Sequence, residues 1–380
     1  MNFSIDRSVL LDNLNMISHG LPTKSPMPIL TGILIEATDN DLYLTSSNVD
    51  ISIETLISDK SLQIEEKGKA VVSGKQLIDI IRKLDSDKLY FSLIESKTLL
   101  LKAGRGEYNL RLMDYLDYPT IDFVTLENPL TIPSSTLRKI IKTTVFATSN
   151  IETNPIITGV NLILNGNELT AVATDSYRLS QNKISLSEEY NDFNITIPAK
   201  SLDELNKALD STEFDITLYF STNKLLFKFN NVLFQTRLLD GNYPNISRII
   251  PSTFPQSILF DKEALIRVVE RVSLLSPSDK VTDKEVNYSV IKLELKPNKN
   301  VEISTSNNQI GTAREEITPL KIETEESVRI AFSSRYLLDA LRAIDQVEIS
   351  LNFSGELRPV IIKSDKNPSL TELILPIKID

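Results

Sequence analysis

Apolar residues recur at helical spacing in six places along the chain, each time just after a short alternating run. Leu77, Ile78, Ile81 and Leu84 fall three and four residues apart, and Leu337, Leu338, Leu341 and Ile344 repeat the pattern. Such spacing puts one apolar stripe along a helix. It predicts amphipathic helices in the windows 7–17, 75–84, 136–145, 200–210, 262–275 and 335–344. Alternating segments such as DKLYFSLIESKTLLLKAG, FDITLYFSTNKLLFKFNN and VEISLNFSGELRPVIIKS follow them and read as strands with one buried face.

The same order of elements appears three times. FSIDRSVLLDNL from Phe3, LTIPSSTLRKII from Leu130 and ILFDKEALIRVV from Ile258 each show a strand, a capping-type residue (Asp6, Ser134, Asp261) and a helix, at spacings of 127 and 128 residues. A second triplet starts at Lys69, Ile195 and Val328. The fold expected is therefore α+β: three repeated domains of about 125 residues, each built of two strand–helix–strand–strand–strand halves, with antiparallel sheets on one side of paired helices. Linkers near 122–128 and 251–256 place the domains at 1–125, 126–252 and 253–380.

Composition narrows the chemistry. The chain has 380 residues, no Cys and one His, which excludes disulfides, thiolate metal sites and two-histidine metal sites; neither a metal nor a cofactor is expected. His19, beside Gly20, reads as a solvent-exposed turn residue. GKAVVSGKQ, from Gly68 to Gln76, resembles a phosphate loop, but has five residues between its glycines and Gln76 where a Mg²⁺-binding hydroxyl belongs; it reads as a structural turn. No other catalytic motif occurs, and ATDSYRL lacks a general-base partner, so no catalytic residue is assigned. The N-terminus carries acids where a signal peptide needs bases, and no apolar run approaches the ~20 residues of a membrane span; a soluble, cytoplasmic protein is expected.

The net charge of -10 argues against a uniformly basic coat, but it is unevenly placed. The six helix windows hold fourteen bases and eight acids, a net of +6, leaving -16 for the rest. Lys75, Arg82, Lys83, Arg138, Lys139, Lys142, Lys200, Lys207, Arg267, Arg271, Arg335 and Arg342 are the candidate phosphate-facing residues. A basic helical surface on an acidic body suits sequence-independent contact with duplex DNA. Few aromatics lie among these bases, which disfavours single-strand stacking.

Several motifs resemble the bacterial DNA polymerase III beta subunit family, the sliding clamps, over the whole chain. They are PMPILTGILIEA (Pro26–Ala37), DYP (Asp117–Pro119), VFATS (Val145–Ser149), TGVNL (Thr158–Leu162), ATDSYRLS (Ala173–Ser180), LLDGNYPNISRIIP (Leu238–Pro251) and the terminal LPIKID. The resemblance implies a non-catalytic polymerase accessory subunit, a processivity factor. It also implies a head-to-tail homodimeric ring of six domains, with twelve helices around a hole that encircles double-stranded DNA, and no membrane role. It further implies a pocket for short linear motifs of polymerases, clamp loader and repair proteins. By position, Ile157, Thr174, Tyr177, Arg178, Leu179, Pro244, Arg248 and Ile249 match it in one stretch of the chain. Ser333, Tyr336, Leu357, Pro359, Leu373, Leu375, Pro376 and Ile377 match it in the last, with aliphatic walls and two arginines expected at the rim. Ser333 stands where many members carry Asn. Tyr108 and Leu110 match one side of the ring seam and Leu274 and Leu275 the other, while Lys24 and the loop 150–154 match DNA-contacting positions. Competing readings are a repeat-built hydrolase or transferase, for which no constellation is found, and an adhesin-like protein-interaction module without a DNA role.

Overall fold

In the computed structural model, six α-helices form among the described residues where the apolar stripes fall. They are α1 (Arg7–Ser18), α2 (Gly74–Lys83), α3 (Ser134–Thr144), α4 (Ala199–Ala208), α5 (Lys262–Ser273) and α6 (Ser334–Ala343). The structure describes residues 1–378 apart from 96, 124, 126, 127, 210, 211, 247, 248, 252, 277–279, 282–285, 288, 298, 325 and 326, with 280, 281, 286 and 287 described in backbone only. Each stripe faces inward: Leu10, Leu14 and Ile17 on α1, Leu77, Ile78 and Ile81 on α2, and Leu337 and Leu341 on α6 are buried. Arg82 and Lys83 close the last turn of α2, where cations complement the negative end of the helix dipole.

The capping expectation holds at one of three positions. The Asp261 carboxylate accepts the Ala264 N–H at 2.7 Å. Asp6 stands at the N-cap of α1 but makes no side-chain cap bond, because the neighbouring strand puts Lys88 opposite it, with Nζ 3.8 Å from the carboxylate. Ser134 is the first residue of α3 rather than its cap. The look-alike phosphate loop is a strand, Gly68–Ser73, running directly into α2. A Cβ on Gly74 would lie 2.5 Å from the end of the Leu21 side chain and 3.1 Å from the Ile33 side chain, so these would have to shift to admit one.

Each helix belongs to a strand–helix–three-strand half, and the halves exchange their leading strands. Asn2–Asp6 leads into α1 but pairs with Lys88–Ile94, which follows α2; Gly68–Ser73 leads into α2 but pairs with Gly32–Ala37, which follows α1. Leu130–Pro133 with Asp215–Phe220 and Phe193–Pro198 with Gly159–Asn165 repeat the exchange. So do Gln256–Asp261 with Glu348–Phe353 and Arg329–Ser333 with Val290–Leu295. The strands Gln63–Glu66 and Lys321–Glu323, and the short pair at 280–281 and 286–287, are additions to this plan.

The chain divides into two compact units, Met1–Arg138 with Lys200–Leu238 and Lys139–Ala199 with Leu239–Asp380. In the first, thirteen strands form one sheet, in which Val232–Arg237 pairs with Ile51–Ile57. Phe3 stacks on Phe91 at 4.7 Å, and Phe227 meets Phe234 edge-on at 6.1 Å. In the second, Arg178–Ser185 pairs with Asn367–Ile374 inside a nine-stranded sheet, and Gly311–Ile317 is the edge of a four-stranded one. Phe260, Phe332, Phe353 and Leu341 centre its largest core. Each large apolar side chain removed from water contributes about 1.5–3 kcal/mol. No helix among the described residues is long and apolar enough to cross a membrane.

Candidate functional site

Between the strands Glu168–Thr174 and Arg178–Ser185 the chain reverses on a turn made by side chains. The Asp175 Oδ1 accepts the N–H groups of Tyr177 and Arg178 at 2.9 and 3.0 Å, and Thr174 Oγ1 donates to the Arg178 carbonyl at 2.6 Å. Ser176 takes a φ of +76°, sparsely populated for a residue with a Cβ. The turn presents Tyr177 outward, 45 % exposed.

Arg178 goes the other way. It is 6 % exposed, its Nε donating to Asp175 at 3.0 Å and an Nη to Asp339 on α6 at 2.6 Å. Its guanidinium lies 4.2 Å from the centre of the Tyr336 ring and 5.4 Å from that of Phe146. The expectation of two rim arginines is therefore corrected. Arg178 is a buried, doubly paired strut, and Arg248 lies outside the described residues. Beneath it Glu372 is fully buried, which pushes its carboxyl well above the ordinary range; the Ser180 hydroxyl and the Arg178 charge pull the other way. The Ser180 Oγ contacts both the Thr143 carbonyl and, at 2.8 Å, Glu372. One hydroxyl hydrogen cannot serve two acceptors, so a protonated Glu372 donating to Ser180 satisfies both contacts.

Around this strut the predicted positions separate into frame and surface. Ile157, Thr174, Leu179 and Leu373 are buried. Leu179 and Leu373 sit with Val172 and Ile361 in a small core, covered by Tyr243, Ile246, Ile250, Phe254 and Leu375. Ser333 is also frame: it is buried and its hydroxyl accepts the Tyr336 N–H at 3.3 Å, capping α6. Leu357 and Ile249 are 65 % and 41 % exposed, and Pro244 is exposed. Tyr336, Pro359, Leu375, Pro376 and Ile377 are half-buried. The Leu375 N–H donates to the Tyr177 carbonyl at 2.9 Å, and that of Ile377 to the Ala331 carbonyl at 2.7 Å, fixing the terminal segment beside the turn. Tyr177 is exposed on the turn, and Leu357 on the segment between Glu348–Phe353 and Val360–Ser364. Asp175 and Asp339, which hold Arg178, and Tyr243, whose hydroxyl accepts the Thr174 N–H at 3.0 Å, were not singled out by sequence. The signal for Tyr243 was the shared DYP and NYP endings.

The helices carry fourteen bases and seven acids within their observed bounds, so the body carries -17. The excess is not shared evenly, correcting the picture of six like helices: α3 has three bases and no acid, while α1 and α4 are neutral. Lys24, Lys75, Lys83, Lys139 and Arg267 are exposed and have no ion pair among the described residues, and Arg82 reaches Asn15 at 3.3 Å. Arg138 pairs with Glu213 at 3.2 Å, Lys207 with Glu204 at 2.7 Å, Arg271 with Glu315 at 2.6 Å, Arg335 with Asp339 at 3.9 Å and Arg342 with Glu270 at 2.7 Å. Lys142 pairs with Asp345, and Lys200 is exposed. Exposed pairs of this kind contribute about 0–1 kcal/mol each and exchange readily for phosphate. His19 is half-buried rather than free in solvent, its Nδ1 3.0 Å from Glu204.

Two of the strand edges open among the described residues are Gly106–Met113 and Gly311–Ile317. Gly106–Met113 pairs along one side with Thr98–Ala103 and meets Gly68–Ser73 only at Leu112 and Met113. Gly311–Ile317 pairs only with Val301–Asn307. Tyr108 on the first edge is half-buried and Leu110 buried. Leu274, at the end of α5, is 78 % exposed, and Leu275 lies about 4.0 Å from a Cβ built on Gly311.

Three family models of the DNA polymerase III beta subunit match the chain: the N-terminal domain over residues 1–122, the central domain over 131–245 and the C-terminal domain over 247–378. The beta sliding clamps of Staphylococcus epidermidis and Staphylococcus aureus are each 36% identical over 383 residues, spanning 100% of this chain and 99% of theirs. The crystal structure of the Bacillus subtilis DNA polymerase sliding clamp superposes with a TM-score of 0.94 at 34% identity, covering 100% of both chains. That of the Streptococcus pneumoniae DNA polymerase III beta chain gives 0.94 at 33%, with the same coverage.

Proposed function

The chain belongs to the DNA polymerase III beta subunit family, a non-catalytic sliding clamp that acts as a processivity factor with DNA and polymerase as partners, and on that premise we propose how its residues divide the work. The repeats are domains 1–125, 126–252 and 253–380. Two chains join head to tail into a ring around double-stranded DNA. The observation that carries this is a pairing rule among the halves. The last strand of a second half pairs with the last strand of a preceding repeat's first half, at Val232–Arg237 with Ile51–Ile57 and at Asn367–Ile374 with Arg178–Ser185. Applied once more, the rule joins Gly106–Met113 of one copy to Gly311–Ile317 of another, bringing Tyr108 and Leu110 against Leu274 and Leu275. Unpaired edges of this kind are templates for a further strand.

The bases of α2 and α3, with Lys24, Lys200, Lys207, Arg267, Arg271, Arg335 and Arg342, meet phosphates without reading sequence. The surface over Tyr177, Leu357, Ile249, Pro359, Pro376 and Ile377 takes short linear motifs of the polymerase, clamp loader and repair proteins, in which apolar anchors enter between aromatic and aliphatic walls. Topological linkage explains how a chain of net charge -10 is retained on an anionic polymer. The test is retention: loaded on nicked circular duplex, the protein stays bound in high salt and leaves when the circle is cut once. Retention on the open-ended product would overturn the ring.

A further inference from the structure

The turn that presents Tyr177 has a twin in the first repeat, and the twin faces a cavity. Asn48 Oδ1 accepts the N–H groups of Asp50 and Ile51, both at 2.8 Å, as Asp175 does for Tyr177 and Arg178. Ser47 Oγ lies 3.3 Å from the Ile51 carbonyl, where Thr174 bonds the Arg178 carbonyl. The Arg237 N–H donates to the Asp50 carbonyl at 3.0 Å, as that of Leu375 does to Tyr177 at 2.9 Å. Tyr118 and Tyr243, each followed by proline, support the two turns from behind, their hydroxyls on the Thr45 carbonyl and the Thr174 N–H. Register makes the equivalences explicit. Ile51 pairs with Thr236 and Ser52 with Gln235, where Arg178 pairs with Ile374 and Leu179 with Leu373.

Beside the first turn is a cavity of about 230 Å³ whose lining combines apolar, amide and cationic groups with one acidic residue, Asp50. Met27, Val49, Pro119 and Ile121 give it an apolar wall. Gln235, at the place of Leu373, is 6 % exposed and lines the cavity. Lys224 and Arg237 also line the cavity and stand directly opposite each other on antiparallel strands, with no ion pair to either among the described residues. Like charges so placed repel, and an anion between them removes the cost.

We propose that this cavity is a second partner site, taking an extended peptide in which an aliphatic side chain stands next to a carboxylate. The aliphatic group enters against Met27 and Val49, the carboxylate joins Lys224 and Arg237, and the peptide backbone meets Gln235. A nucleic-acid backbone matches the two cations but leaves the apolar wall unused. The peptide class of the occupant rests on reading the Tyr177 surface as a motif site; the anionic preference does not.

Fluorescence anisotropy of fluorescein-labelled Gly-Glu-Leu-Glu-Leu-amide, titrated with the full chain carrying Leu357→Asp, tests it with the Tyr177 surface disabled. Binding is expected to persist in that background, and adding Arg237→Glu or Lys224→Glu to weaken it by about tenfold or more. Arg237 is exposed and bonds through its backbone, so its substitution leaves the turn intact. A Lys-Leu-Lys-Leu counterpart should not bind. No binding in the Leu357→Asp background, or indifference to both charge reversals, overturns the proposal. So does displacement of the peptide by a short DNA duplex with the same Arg237 dependence. Failure of the Tyr177 reading shows separately, as Leu357→Asp having no effect on peptides from the polymerase.

Discussion

Asn48 and Asp175 each fold the chain back by accepting two backbone N–H groups on one side-chain oxygen, and each turn leans on a tyrosine and a neighbouring strand. What stands on that shared frame differs. Tyr177 in the later turn is Asp50 in the earlier one, Leu375 is Arg237, and the buried Arg178 is Ile51. Beneath, the position of Glu372 is held by Phe234, with Ser180 and Ile53 as their strand partners. The repeat conserves backbone hydrogen bonding within the chain, while the side chains set polarity independently at each copy. A duplicated fold thereby offers similar sockets to unlike partners, one apolar over a charged strut, one charged over an apolar floor.

The largest contrast is expected from removing the inward residue of each turn. Arg178→Ala leaves Asp175 and Asp339 facing each other without their cation, and breaking a buried pair costs about 3–5 kcal/mol. Ile51→Ala costs about 2–4 kcal/mol as a simple cavity. Urea denaturation distinguishes them, because only the Arg178 variant regains stability when Asp339 is also neutralised. An intermediate effect separates the turn residues. Asn48→Ala removes two backbone bonds and should cost about 1–2 kcal/mol, while Asp175→Ala costs more because it also unpairs Arg178. Equal losses in thermal melts would mean that the strut does not stabilise the later turn.

The larger pH dependence should belong to the later socket, although burial also raises the Glu54 carboxyl on the strand after the earlier turn. Burial raises the Glu372 carboxyl in the folded chain above its unfolded value, so the folded state holds that proton more tightly. Its contribution is fully present below the ordinary carboxylate range and is lost as pH rises through the folded value. Glu372→Gln should flatten this loss, making the variant the more stable chain at the alkaline end; an unchanged slope in melting temperature against pH would count against a protonated Glu372. The smallest expected effect on stability is at Leu357 and Val49, both exposed, where Leu357→Asp and Val49→Asp should stay within about 0.5 kcal/mol in denaturation. Leu357→Asp should nonetheless abolish capture by polymerase-derived peptides in anisotropy.

The helices and the six halves were legible because a core-facing stripe must recur at helical spacing whatever its neighbours do. The exchange of leading strands was not, since Asn2–Asp6 reads the same whether it pairs with its own half or the next one. Arg178 was expected at a rim and is buried. An arginine in a polar turn reads as a rim residue until Asp339, 161 positions away, is seen to take its charge. The likeness of SNVDI to TDSYR was hidden for a similar reason: Ser and Thr, or Asn and Asp, perform one hydrogen-bonding task with different letters. Helix charge was overread, because α1 and α4 balance their bases with acids while α3 carries none.

Hydrogen exchange on the full chain, with and without acetyl-Glu-Leu-Glu-Leu-amide, compares the two sockets in one experiment. Two frames of opposite polarity require slowed exchange at residues 49–52 and 235–237, with residues 174–179 unchanged. Protection confined to 174–179 and 373–377 would contradict the division.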